Sequence, residues 1–157
     1  MDPSQIEKVQ LSPSEVLARY HRAMLDKSAD DLADLYSVDA IHEFPMLFPG
    51  MPESYHGREE IRAGYRAAWA ALPARVEEIG DVVLHQTADP EVIIVEQRVG
   101  CVLTATGRPF AANNLLVIRV HDGLITHVRD YLDALTLNQA LNRLPAVLTL
   151  LAGDDAR

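Results

Sequence analysis

The stretch EVIIVEQRVGCVLTATGRPFAANNLLVIRVHDGLITHVRDYL, residues 91–132, decides the fold. Its apolar residues recur at every second position, the period of a strand with one buried face. Ala105-Thr106-Gly107 and His121-Asp122-Gly123 interrupt that alternation with turn residues. Strands are therefore expected over 91–104, 109–120 and 124–132. A further strand over 75–86 lies upstream, set off by Ala88-Asp89-Pro90. Turns this tight join antiparallel neighbours, so the second half of the chain reads as a meander of long strands.

Before residue 73 the period is 3.6 instead. Ser12-Pro13-Ser14-Glu15 has the form of a capping box, with proline suited to the first helical position. Val16, Leu17, Tyr20, Met24 and Leu25 follow at helical spacing, which predicts a helix over 13–27. Ser28-Ala29-Asp30 restarts a short second helix with Leu32, Leu35 and Tyr36 as its buried stripe. Ala40 to Phe44 reads as a strand stopped by Pro45. Residues 45–57 hold three prolines and two glycines and are expected to form a loop. Met46, Leu47, Phe48 and Met51 make it apolar, as suits either a loop packed over the core or a lid on an apolar pocket. Arg58 to Leu72 is the third helix, with Ile61, Tyr65, Ala68, Trp69 and Leu72 on one side, and Pro73 ends it.

Residues 133–143 are expected to form a final short helix, and LPAVLTLL (144–151) is apolar enough to need burial against the sheet or a second subunit. The fold class is α+β, with three helices packed on one face of a bent antiparallel sheet. The chain divides into a flexible tail at 1–12, one domain over 13–143, and an apolar tail over 144–157.

Charge and composition narrow the functions. Fourteen Lys and Arg face 23 Asp and Glu, a net charge of −9. That balance speaks against sequence-independent nucleic-acid binding, which rewards clustered cations. With only Lys8 and Lys27 as lysines there is no polybasic membrane patch. Cys101 is the sole cysteine, which excludes an internal disulfide and a cysteine-rich zinc site. No run approaches the 18 apolar residues of a spanning helix, and the first residues lack a basic, then apolar, leader pattern. A cytoplasmic location is the expectation. No His or carboxylate cluster has ligand spacing, so neither metal nor cofactor is expected.

Three stretches resemble a known group: VLARYHRAML with DDLADLYSVDAIHEFP (16–25 and 30–45), GREEIRAGYRAAW (57–69) and HDGLITHVRDYLD (121–133). Together they are similar to the nuclear transport factor 2-like superfamily, and within it to SnoaL-like and ketosteroid-isomerase-like proteins, over most of residues 14–140. The resemblance implies a cone, a curled sheet closed by three helices, holding a small apolar molecule. It also implies the strand register. Val128, Asp130 and Leu132 should face inward, with Phe110, Ala112, Asn114, Leu116 and Ile118 beside them. Ile93, Val95, Gln97, Val99 and Cys101 should join them, followed by His42 and Phe44 on the first strand. A slip of one residue would turn each set outward.

Asp130 carries most weight. Between inward Val128 and Leu132, burial opposes ionisation of its carboxyl unless it is paired. A carboxyl so placed both gives and takes protons near pH 7. SnoaL-like cyclases use a carboxylate at the matching position; a structural Asp bonded to Arg129 or to the following backbone is the other reading. His42 either shares the Asp130 proton or is a satisfied core histidine. Tyr20, Tyr36 and Tyr65 match three tyrosines that ketosteroid isomerases chain together, and Tyr20 is the one expected to reach a ligand. Gln97, Asn114, Phe44, Tyr65, Trp69, Phe110, Leu116, Val128 and Leu132 are the expected substrate-binding residues, and Asp130, His42 and Tyr20 the catalytic ones. His21, His56, His85, His121 and His127 are expected in loops or facing outward.

Departures from the relatives matter as much. Ketosteroid isomerases carry a base where this chain has Phe44 and an acid where it has Leu116. Limonene-type epoxide hydrolases carry Arg and Asp at the positions of Gln97 and Val99. Phenazine-type members place His and Ser where Gly64 and Ala68 stand. The pattern that survives is nearest the SnoaL-like cyclases. It implies a cofactor-independent enzyme acting on an apolar oxygenated substrate by cyclisation, isomerisation or dehydration. The alternatives are a non-catalytic ligand-binding or dimerisation module, and an epoxide-hydrolase-like enzyme with a degenerate triad. Outward Val92, Ile94, Val102, Leu115 and Val117, mixed with Glu96, Arg98, Asn113 and Arg119, suggest a two-fold homodimer.

Overall fold

Ser12 begins the first helix as the sequence predicts. Its hydroxyl accepts from the Glu15 N–H while the Glu15 carboxylate accepts from the Ser12 N–H, a capping box worth about 1 kcal/mol. In the computed structural model, which describes residues 10–46 and 50–154, this helix, α1, runs Pro13–Asp26. Residues 1–9 of the expected N-terminal tail, Leu47 and Phe48 of the expected lid, and residues 155–157 lie outside the described residues. Lys27, in the left-handed region at φ 53°, closes α1 with its N–H on the Ala23 and Met24 carbonyls.

The remaining elements are α2 (Ala29–Ala33), β1 (Tyr36–Glu43), β2 (Ser54–His56), α3 (Arg58–Ala71), β3 (Ala74–Gln86), β4 (Val92–Leu103), β5 (Pro109–His121), β6 (Leu124–Leu132), α4 (Ala134–Ala140) and α5 (Leu144–Asp154). The strands form one curled sheet in the order β2-β1-β6-β5-β4-β3, left open at its edges. Bulges between Val76 and Glu78 and between Gly80 and Val83 help to bend it. On its inner face Ile93, Val95, Leu116, Ile118, Ile125 and Val128 pack against Val16, Tyr20 and Leu32 of α1 and α2 and Ile61 of α3.

Three expectations are corrected. The sheet is mixed rather than antiparallel throughout, because β1 pairs with β6 in parallel, Ile41 opposite His127 and Glu43 opposite Arg129. The second helix stops at Ala33: Tyr36 opens β1, where Ile125 offers it a ladder partner. The loop over 45–57 contains a short strand, β2, paired with β1 between Ser54 and Glu43. The apolar tail forms α5, whose Leu148, Leu150 and Leu151 are more than half exposed on the single chain. Among the described residues, no helix is long and apolar enough to cross a membrane.

Candidate functional site

Strand alternation places the expected inward residues where the register requires. Gln97 of β4 lies opposite Asn114 of β5, and Leu116 lies opposite Asp130 of β6. Gln97 and Asn114 are buried at 6% and 8% exposure, and the Asp130 side chain retains 12%. Parallel pairing with β6 brings β1 alongside, with His42 opposite Val128. His42 is therefore fully buried next to the carboxylate.

These side chains join into one polar row. The Gln97 Nε2 donates to Asn114 Oδ1 at 2.9 Å, and the Asn114 Nδ2 donates to Asp130 Oδ1 at 2.5 Å. The other carboxylate oxygen, Oδ2, stands 3.7 Å from His42 Nε2. The His42 ring in turn bridges two hydroxyls, Tyr36 at 2.8 Å on Nδ1 and Tyr65 at 3.1 Å on Nε2. Phe44 packs on the same imidazole with ring centroids 4.9 Å apart, and Trp69 packs edge-on against Tyr65 at 5.1 Å.

Electrostatics keep the tyrosines in their neutral form. Burial pushes the Tyr20 hydroxyl well up and the Asp130 charge adds to it, while contact with the Tyr65 and Tyr36 hydroxyls works the other way. Tyr36 and Tyr65 are raised for the same first reason, burial. Three phenols that hold their protons are hydrogen-bond donors at any physiological pH, the property an oxyanion site uses.

The substrate-binding residues expected from sequence separate into two groups. Leu116, Val128, Tyr65 and Trp69 are in the packed core, and Tyr20 is only 2% exposed. Phe44, Phe110 and Leu132 are half-buried. A concavity of about 540 Å³ opens beside the row, lined by Gln97, Asn114, Met46, Val83, Leu115 and Leu132 among others; much of its wall, including Val83, Glu96, Arg98 and Leu115, belongs to the outward parity of the sheet, and neither Asp130 nor His42 lines it.

One residue was misplaced by the sequence. His21, expected to face outward, is half-buried, and its Nε2 lies 2.7 Å from Gln97 Oε1. At 100° per residue it flanks the face that buries Tyr20, and β4 runs beneath that flank. Burial lowers its pKa, opposed by the bond to Gln97. The signal that could have found it is an inward glutamine on β4 in need of a second partner. His85 and His121 are exposed as expected, on Glu96 and Glu91, and His127 is on the outward face of β6, half-buried against Glu43. Among the described residues, no three His, Cys, Asp or Glu side chains converge as a metal would require.

A curled sheet whose inner face is packed by helices is the architecture of the nuclear transport factor 2-like superfamily. Residues 17–128 match the SnoaL-like domain, and the chain belongs to that family. An uncharacterised PhzA/B-like protein of Pseudomonas aeruginosa is 30% identical over 143 residues, 91% of this chain and 99% of the relative. The crystal structure of a candidate isomerase from Bacillus subtilis superposes with a TM-score of 0.75 at 24% identity, covering 82% of this chain and 91% of that one. A candidate polyketide cyclase from Pseudomonas putida gives 0.63 at 21%, covering 80% and 95%. At those identities the two structures share the fold.

Proposed function

We propose that the protein is a cofactor-independent enzyme in which Asp130 moves a proton on an apolar, oxygenated small molecule, leading to cyclisation, isomerisation or dehydration. The observation that carries this reading is the carboxylate itself. Asp130 is nearly buried, fixed by a 2.5 Å bond from Asn114, and keeps its second oxygen 3.7 Å from a histidine set between two tyrosines. A base held in one rotamer by the Asn114 bond suits abstraction of a proton next to a carbonyl, and the His42–tyrosine cluster adjoins it to steady the charge that develops. Leu132, Met46 and Val83 line the concavity and would give a substrate apolar contacts, and the SnoaL-like family membership supports a cyclase- or isomerase-type reaction.

Solvent deuterium exchange tests this without the natural substrate. The protein should accelerate exchange at the acidic carbon of polycyclic β-keto esters, and Asp130→Asn should lose about 10²–10⁴ of that rate while remaining folded. An Asn variant within about threefold of the parent, a difference of roughly 0.7 kcal/mol, removes Asp130 from the chemistry and leaves a binding module as the better account.

We further propose that the outer sheet face pairs with a second copy of the chain. Val92, Ile94, Val102, Leu115 and Val117 are half-buried there, and exposed Glu96, Arg98 and Asn113 rim them. Such an apolar centre within a polar rim suits an isologous contact.

A further inference from the structure

The polar row is longer than its catalytic end. From α1 to β6 it runs His21, Gln97, Asn114, Asp130 without a break, at 2.7, 2.9 and 2.5 Å. Each amide has a donating and an accepting end, and both amides are buried, so a reversed amide would face donor to donor or acceptor to acceptor at a cost of about 1–3 kcal/mol. The direction is fixed from the anionic end. An ionised Asp130 only accepts, so Asn114 must turn its NH₂ toward it. The Asn114 oxygen then requires the NH₂ of Gln97, and the Gln97 oxygen requires a donor from α1. His21 supplies it, which places the His21 proton on Nε2.

We infer that His21 is a positioning residue, the terminal donor of an amide relay that holds the Asn114 NH₂ against Asp130. The inference rests on the assignment of Asp130 as the proton-moving group. Without the His21 donor the buried Gln97 oxygen loses its partner, Gln97 holds Asn114 less firmly, and the Asn114 NH₂ is kept against the carboxylate by Asp130 alone. The relay also uses one donor and one acceptor of both amides internally. Each amide keeps a second N–H, and Gln97 and Asn114 are the members of the row that line the concavity.

Three measurements test the relay. In the parent protein, ¹⁵N spectra of His21 should show the neutral ring protonated on Nε2; protonation on Nδ1 overturns the direction of the row. His21→Phe, which removes the donor, should move the Asn114 side-chain NH₂ resonance upfield and lower the deuterium-exchange kcat by roughly 10–100-fold with KM little changed. His21→Gln, which restores an N–H, should recover both. An Asn114 resonance that stays in place in His21→Phe, or a glutamine variant as impaired as phenylalanine, refutes the relay. Should His21→Phe not fold, the tautomer and the glutamine variant still decide. Should Asp130→Asn retain full exchange, the proposed function falls, and the Asn114 resonance continues to judge the relay by itself.

Discussion

Asp130 Oδ2 lies 3.7 Å from His42 Nε2, within ion-pair range but beyond a hydrogen bond, because the Tyr65 hydroxyl already occupies that nitrogen at 3.1 Å. His42 is thus held by its tyrosines and merely adjoins the carboxylate. Replacing it with leucine would keep apolar volume but strand the buried Tyr36 and Tyr65 hydroxyls. At about 1–3 kcal/mol for each of the two stranded groups, His42→Leu should cost roughly 2–6 kcal/mol in urea unfolding. A loss below about 1 kcal/mol would show that the hydroxyls find other partners.

Gly64 gives the Tyr55 ring its seat. A Cβ on Gly64 would collide with that ring, which also packs edge-on against Phe44. This accounts for the absence of a side chain at a position where related phenazine-type proteins have one. Gly64→Ala should destabilise by about 1–3 kcal/mol, and adding Tyr55→Ala should abolish most of that further penalty. Additive effects in the double-mutant cycle would rule the steric account out.

Stability should depend on pH through His21. Its folded pKa lies below the ordinary 6.5, so between the two values the unfolded chain binds more protons than the folded one. Stability therefore falls as pH drops below about 6.5, by at most about 1.4 kcal/mol per unit from this one group. His121 acts in the opposite direction, its pKa raised first by the bond to Glu91, but it cancels in a comparison of variants. Urea midpoints of parent and His21→Gln at about pH 5 and pH 7.5 isolate the effect: the parent should lose more on acidification. Equal losses would contradict it.

The assembly proposal predicts a dimer in sedimentation at micromolar concentration, twice the chain mass of 17.4 kDa. Leu115→Glu, a charge at the centre of the outer face, should return it to monomer with the fold preserved. Removing residues 144–157 should leave monomer stability nearly unchanged, since the large side chains of α5 at Leu148, Leu150 and Leu151 are 64%, 54% and 52% exposed. A weaker dimer after that truncation would place α5 in the contact; a parent that sediments as a monomer would refute the dimer.

Local signals made much of this legible. Ser12 and Glu15 announced α1, Pro73 the end of α3, and alternation around Asn114 the inward face of β5. What the sequence concealed was non-local. Leu32, Leu35 and Tyr36 have helical spacing, yet Tyr36 joined a strand because Ile125 lies ready to pair with it. The parallel partnership of β1 and β6 carries no turn signal, since some 85 residues separate the strands. His21 was misread for a related reason: its partner Gln97 is on a distant strand.

That parallel partnership also governs when the site can exist. His42 belongs to the third element of the chain and Asp130 to the ninth, and β6 is inserted between β1 and β5 rather than added at an edge. A nascent chain therefore emerges with β1 lacking its inner neighbour, and its buried histidine and tyrosines cannot close until residue 130 has followed. Contacts of such long sequence separation form slowly. The two sides of the site are thus synthesised far apart in time, and a chain interrupted before β6 would expose an unpaired strand edge, the feature from which aggregation begins.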